Sequence, residues 1–163
     1  MKYFSKSARP TRDFKVLQSG IEQGLILSKE YENHLKNIAP RLPDVTRSFV
    51  LTAWYRDPKS HDCPHDAWLI ECSLKTDIDD RQTSNLRLVL LGAYHDRVLI
   101  LDYCKVTELT LDFADVPELM MGDWLHDEFD VTGSGLVSHE IQWQNGLPWR
   151  IVSQRVKFTA NPR

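Results

Sequence analysis

The stretch Leu86–Phe113 carries three short apolar runs, and these decide the fold. Leu86–Tyr94 reads LRLVLLGAY, Val98–Tyr103 reads VLILDY and Leu109–Phe113 reads LTLDF. Each run is rich in aliphatic, β-branched or aromatic residues and has the length of a strand. The polar triplet at residues 95–97 is short enough for a hairpin turn, and Lys105–Glu108 is predicted to connect to the third run. The pattern predicts successive antiparallel strands in the middle of a sheet.

Two further segments upstream have the composition of strands. Ser48–Tyr55 is dominated by β-branched and aromatic residues, which favours a strand, with a helix as the competing interpretation. Ala67–Leu74 alternates, so that Trp68, Ile70, Cys72 and Leu74 share one face, which we expect to be core.

The end of the chain predicts a hairpin. Leu136–Trp143 and Trp149–Phe158 both read as strands, and Asn145-Gly146 lies between them. Asn and Gly both tolerate positive φ, which two-residue hairpin turns require.

One helix is predicted near the N-terminus. Leu27, Tyr31, Leu35, Ile38 and Ala39 recur at helical spacing, and Pro40 ends the pattern. Its apolar stripe must rest on the sheet, because a helix this short is marginal alone. Residues 1–24 are expected to be a loosely ordered arm. The whole chain, 1–163, therefore predicts a single α+β domain: a mostly antiparallel sheet of six to eight strands, curved into a sandwich or partial barrel, with one N-terminal helix.

Composition excludes several classes of function. The formal net charge is −3, whereas a protein that binds nucleic acid normally carries a clustered basic face. Nucleic acid is therefore not the expected partner. No apolar run is long enough to cross a membrane, and no apolar segment follows the basic residues at the start as in a signal peptide. Cys63, Cys72 and Cys104 cannot all pair within one chain, which indicates a reducing compartment. We therefore expect a cytoplasmic protein.

A His- and Cys-rich loop is the candidate metal site. His61, Cys63 and His65 alternate within six residues, and imidazole with thiolate suits zinc. A structural zinc would need a fourth ligand, for which His95, His126 and Cys104 are candidates. A solvated polar loop is the more frequent meaning of such a segment.

An acidic and aromatic segment is the candidate partner surface. Residues 123–130 place four carboxylates around a histidine and two aromatic rings, and two further tryptophans follow. Rings can anchor a partner while carboxylates steer a basic one. The alternatives are acid–base catalysis, an exposed acidic edge, and tryptophans that belong to the core. The predicted partner-binding residues are Asp123, Trp124, His126, Asp127, Glu128, Asp130 and Trp143.

The C-terminal third resembles the layout of small bacterial domains of unknown function and of some immunity proteins encoded beside polymorphic toxins. The resemblance is carried by residues 123–130, 138–146 and 149–151. It implies a cytoplasmic single-domain protein that binds and neutralises a toxin through an acidic surface, without catalysis.

Together these observations predict a non-enzymatic protein-binding module of immunity or inhibitor type. The sequence contains no phosphate-binding loop, dinucleotide fingerprint or nucleophile elbow. The first alternative is a metal-dependent enzyme that uses His61, Cys63 and His65. A second alternative is a carrier that holds a small ligand inside a barrel.

Overall fold

A computed structural model describes residues 2–3, 28–80, 83–111, 122–144 and 148–163. Within these ranges helix α1 covers residues 28–38 and runs into a 3-10 turn at Ala39–Arg41. Helix α2 follows at Asp44–Val50, and a second 3-10 turn lies at Trp54–Arg56. The strands are β1 (Trp68–Thr76), β2 (Ser84–Leu91), β3 (Arg97–Thr110), β4 (Trp124–Val131), β5 (Val137–Trp143) and β6 (Pro148–Pro162).

The six strands form one antiparallel sheet in the order β1-β2-β3-β6-β5-β4. The predicted α+β class, dominated by an antiparallel sheet, is confirmed. The two hairpins that matter most to the prediction, β2–β3 and β5–β6, both form. The Asn145-Gly146 turn itself and most of the predicted arm at 1–24 lie outside the described residues.

Strand β3 is longer than predicted. It continues without a break from Arg97 to Thr110, so the predicted connection at Lys105–Glu108 is wrong. Strand β6 pairs with β3 along nearly its whole length. The pairing gives the backbone of the polar residues in β3 hydrogen-bond partners. The register shifts between Val106 and Glu108, and Lys105 adopts a positive φ of 52°. A bulge therefore replaces the expected loop.

The strand predicted at Ser48–Tyr55 is wrong, and the competing helical interpretation holds over its first part. Helix α2 ends at Val50, and Tyr55 lies in the 3-10 turn that follows. Phe49, Val50 and Tyr55 are all buried. Burial of these side chains against the sheet outweighs the strand preference of the segment, because intrinsic propensity is weak compared with tertiary packing.

Helices α1 and α2 cover one face of the sheet and close the core. Tyr31, Leu35 and Ile38 of α1 are buried at helical spacing, as predicted. They belong to a single apolar cluster that includes Leu88 of β2 and Leu101 of β3, both fully buried. The amphipathic pattern of the helix therefore does place its apolar stripe on the sheet.

Strand β1 is an edge strand, and its expected core face is exposed. The side chains of Trp68, Ile70 and Leu74 are 48%, 59% and 53% exposed. A register shift between Leu69 and Glu71 also breaks the alternation, so these residues do not share one face. Cys72 and Leu74 lie opposite the buried Leu88 and Leu86, yet both are exposed.

The two edge strands touch at one point. Trp68, the first residue of β1, forms an isolated antiparallel bridge with Asp123, just before β4. Two hydrogen bonds continue it, from Asp66 N to Trp124 O at 2.8 Å and from Trp124 N to Ala67 O at 3.0 Å. Among the residues that the structure describes, no helix combines the length and the apolar character needed to span a bilayer.

Candidate functional site

Strand β4 carries most of the predicted partner residues, but it turns its rings inward. Trp124 is 1% exposed, and Trp143 on the neighbouring strand β5 is fully buried. Their rings pack edge to face at 5.4 Å. Of the predicted carboxylates on this strand, Asp130 is exposed, whereas Glu128 is buried. The two tryptophans are part of the core and offer no surface to a partner in this structure.

Asp127 is the centre of a buried polar network. Its Oδ2 lies 3.1 Å from His139 Nε2 and accepts a hydrogen bond of 3.1 Å from the Tyr55 hydroxyl. His139 Nδ1 lies 2.7 Å from the Tyr103 hydroxyl. The side chain of His139 is fully buried, and the Phe129 ring stacks on it with 3.9 Å between centroids. Four residues from the sheet and the loop after α2 are thus joined in the core.

The network fits one neutral tautomer of His139. With the Tyr103 hydroxyl donating to Nδ1, a neutral His139 carries its proton on Nε2 and donates it to the Asp127 carboxylate. Burial, reinforced by the charge of Asp127, raises the pKa of both Tyr55 and Tyr103 well above the usual value, which keeps both hydroxyls protonated as donors. Both ring nitrogens of His139 are therefore engaged. The ring has no nitrogen left to take a proton from an external substrate.

Glu128 points away from this network and holds the beginning of the chain. Its carboxylate oxygens accept hydrogen bonds from the backbone N–H of Lys2 at 2.6 Å and of Tyr3 at 2.7 Å. These residues line an open cavity of about 360 Å³ together with His34, Glu140 and Arg150. Arg150 is paired with Glu108 and with Glu140, at 3.6 Å from the latter. The cavity therefore has charges of both signs, several already satisfied by neighbours.

The three residues predicted as metal ligands have separate partners. His61 Nδ1 lies 2.8 Å from Asp96 Oδ2, and its ring stacks on Tyr94. The Cys63 thiol is buried and donates to the Tyr55 carbonyl at 3.1 Å. Burial raises the pKa of this thiol to about 11. His65 lies beside Asp66.

These side chains do not form a ligand set. Within the described part of the chain, no group of three or more His, Cys, Asp or Glu side chains is placed to hold a metal ion. Of the candidate fourth ligands, His95 contacts Trp68, whereas His126 lies beside His65 with 5.9 Å between ring centroids, but among the described residues no third ligand joins this pair.

A partly exposed aromatic and acidic surface does exist, at the junction of the two edge strands. We define the junction surface as Asp66, Trp68, His95, Asp123 and His126. The Trp68 ring packs edge to face on His95, with 4.6 Å between centroids. Bridge partners point to the same side of a sheet, so Asp123 flanks Trp68. The Asp66 side chain is about half exposed, and its backbone is held beside Trp124.

Sequence analysis found two members of the junction surface, Asp123 and His126, and missed its aromatic anchor. Trp68 was assigned to the core because it alternates with polar residues, and alternation does not reveal that a strand lies at the edge of the sheet. His139 and Tyr103 were missed because their contacts join β3 to β5. The β4–β5 register places Asp127 diagonal to His139, a relationship that a predicted hairpin register could have shown.

Comparison of this chain with protein-family models, with curated proteins and with solved structures finds no match in any of the three.

Proposed function

We propose that this protein is a non-enzymatic protein-binding module and that the junction surface is where it holds its partner. The observation that carries the proposal is the position of Trp68. Trp68 is 48% exposed, yet its ring packs against His95 on one side and Asp123 flanks it. Trp is the residue most typical of binding hot spots.

The rigidity of this surface favours binding. The turn that carries His95 is fixed by hydrogen bonds from His95 N to Gly92 O at 2.8 Å and from Gly92 N to Arg97 O at 3.0 Å. The neighbouring Tyr94 ring stacks on His61 at 4.2 Å, and its hydroxyl donates to Pro58 O. The backbone that carries His95, the residue against which Trp68 packs, is therefore already held before a partner docks.

The charges at the junction suit a partner with a basic group beside an apolar pocket. Asp123 is the bridge partner of Trp68, and the exposed Asp66 precedes Trp68 by two residues, with its backbone N–H bonded to Trp124 O. Carboxylates at the rim of an aromatic anchor speed association with a cationic partner and disfavour an anionic one.

The buried Asp127–His139–Tyr103 network supports the non-enzymatic part of the proposal. These are the residues whose chemistry most resembles an acid–base site, but their polar atoms bond to one another inside the core. A general base must reach the proton that it removes. We therefore infer that this network stabilises the fold.

The identity of the partner is a narrower proposal. From the resemblance of the C-terminal third to bacterial immunity proteins, we propose that the partner is a toxin encoded beside this protein. The two proteins would then meet in the cytoplasm of a bacterium. The metal-dependent alternative has no comparable support, because His61, Cys63 and His65 each have a different neighbour.

The proposal is tested by affinity capture from the native host, with the product of the neighbouring gene also supplied as purified protein. Wild type and Trp68→Ala are compared, and the affinity for each captured protein is then measured by calorimetry. Truncation of a hot spot costs about 2 kcal/mol or more, so we expect roughly 30-fold weaker binding.

Ile78→Ala is the matched control, because Ile78 is an apolar residue that is 92% exposed and lies beyond the end of β1 opposite to Trp68. It should bind as the wild type does. A partner that binds Trp68→Ala and wild type equally would contradict the junction surface, and turnover of a substrate by the pure protein would contradict the non-enzymatic proposal.

A further inference from the structure

Within the part of the chain that the structure describes, the outer edge of strand β1 has no neighbouring strand along most of its length. The bridge between Trp68 and Asp123 is antiparallel, so β4 runs from Asp123 back past the start of β1 and not alongside its later residues. Among the described residues, no strand pairs with this edge over Ile70–Thr76. Unpaired edge strands are templates for strand addition.

The exposed run is apolar on one face and charged on the other. Cys72 and Leu74 lie opposite Leu88 and Leu86 of β2, so they extend the core-side face of the sheet, yet both are exposed. Glu71 and Lys75 lie opposite Val89 and Asn85 and point to the other face. From Glu71 to Thr76 the pairing with β2 is regular, so the run presents a straight edge beyond the register shift.

We propose that β1 pairs with β1 of a second copy of this chain, antiparallel and centred on Ser73, so that the two sheets join into one. In this register Glu71 of each copy faces Lys75 of the other. Cys72 of each copy faces Leu74 of the other. Opposite charges and apolar pairs directly across an antiparallel ladder both stabilise it.

Neighbouring registers lack this complementarity. In an antiparallel pair of identical strands related by a two-fold axis, directly opposed residues must point to the same face of the sheet. The two-fold axis can therefore pass beside a residue but not between two successive residues. An axis through Cys72 would put Glu71 opposite Ser73 and Lys75 opposite Leu69. An axis through Leu74 would put Glu71 opposite Asp77, which brings like charges together. The axis through Ser73 is therefore selected by the charges of the strand itself.

Lys75 also explains why the edge would not pair indiscriminately. A lysine on an edge strand normally opposes aggregation, because it cannot be desolvated without a partner. In the Ser73 register it meets a carboxylate of the second copy, whereas other strands would leave it unpaired. This inference does not depend on the proposed function, since Ile70–Thr76 lies outside the junction surface.

The first test is the mass of the purified chain in solution as a function of concentration, by analytical ultracentrifugation. We expect a reversible dimer, and weak, because one strand pair buries less than a standard interface. Glu71→Lys should weaken association roughly tenfold or more, since it turns two attractive pairs into repulsive ones. The double variant Glu71→Lys/Lys75→Glu restores both pairs and should dimerise to within about threefold of wild type.

Glu32→Lys is the matched control for charge, because Glu32 is an exposed residue of α1 and the substitution changes the net charge equally. It should leave the dimer unchanged. A wild type that is monomeric at roughly 200 µM would overturn the proposal. Equal weakening by the single and the double charge variants would overturn the Ser73 register.

Cross-linking tests the register independently. In a Cys72→Ser background, Ser73→Cys places two thiols directly opposite each other, with Cα atoms about 5 Å apart, within the reach of a disulfide. Mild oxidation should give a covalent dimer. Thr76→Cys in the same background is the control, since its two copies would lie roughly 20 Å apart. Equal cross-linking of both variants, or of neither, would contradict the pairing.

Discussion

The hydroxyl of Thr46 both accepts a hydrogen bond from the backbone N–H of Val156 and donates one to its carbonyl, each at 2.9 Å. Strand β5 pairs with β6 only as far as Ser153, so Val156 lies on a part of β6 that no described strand covers on that side. The side chain of a helical residue thus takes the place of a neighbouring strand, and it fastens α2 to the sheet.

Thr46→Val should destabilise the fold by about 2–3 kcal/mol, because it leaves a buried N–H and a buried carbonyl of Val156 without a partner. Thr46→Ser keeps the hydroxyl and should cost much less. Urea unfolding at equilibrium measures both. If the valine variant were as stable as the serine variant, the two hydrogen bonds would not contribute as described.

Tyr103→Phe should cost about 1–3 kcal/mol, since it removes the donor to His139 Nδ1 inside the core. The ring shape is kept, so the loss reports the hydrogen bond. Tyr94→Phe is the matched control: its hydroxyl also donates, to Pro58 O, but at an exposed site where water replaces the bond. The losses in free energy of unfolding that the two substitutions cause, measured in urea, should differ clearly. Similar losses would mean that the core network does not contribute to stability.

Cys63 and Cys72 should differ in reactivity. Cys63 is buried, and the pKa of its thiol is raised to about 11, so at about pH 8 only roughly one thiol in a thousand is ionised. Cys72 is exposed, although burial of its thiol by neighbours still raises its pKa somewhat. Timed alkylation of the native protein followed by mass spectrometry should therefore label Cys72 well before Cys63. Faster labelling of Cys63 would show that its loop opens readily.

Stability should decrease in mildly acidic solution because of His126. Burial, and after it the neighbouring His65, lowers the pKa of His126. In the unfolded chain the imidazole takes up its proton near the usual value of about 6.5, so below that pH the unfolded state binds more protons than the folded state. The contribution of neutral His126 to the free energy of unfolding is complete above the usual pKa of about 6.5. It is lost as the pH falls toward the lowered pKa that His126 has in the folded protein.

His126→Gln should therefore flatten the dependence of the urea midpoint on pH between about 7.5 and about 5.5. His95→Gln, at an exposed position, shows the effect of losing a histidine at the surface. Equal slopes for wild type and His126→Gln would contradict the assignment.

Local pattern was enough for the elements whose partners are close in sequence. The hairpin of β2 and β3 and that of β5 and β6 follow from apolar runs separated by short polar turns, and α1 follows from the spacing of Tyr31, Leu35 and Ile38. The predicted boundary inside β3 failed because the pairing of β3 with β6, distant in sequence, extends the strand through its polar residues.

The candidate site could be predicted only in part. Asp123 and His126 do lie near the surface, as the acidic segment suggests, but Trp124 of the same segment lies in the core, as does Trp143. The sequence shows only that aromatic and acidic residues are interspersed in this segment. Which of them face water depends on where the helices lie on the sheet, and that is set by packing between distant segments.

By itself the sequence determined a mostly antiparallel fold with a helix resting on the sheet, because a period of two or of 3.6 residues favours one kind of backbone and one buried side in each segment. Only the tertiary structure decided that β1 lies at an edge, that Ser48–Val50 is helical and that Asp127 meets His139 and Tyr55 in the core. The reason is physical: the burial of a side chain, and the partner of a buried polar atom, are properties of surfaces that come together from different parts of the chain.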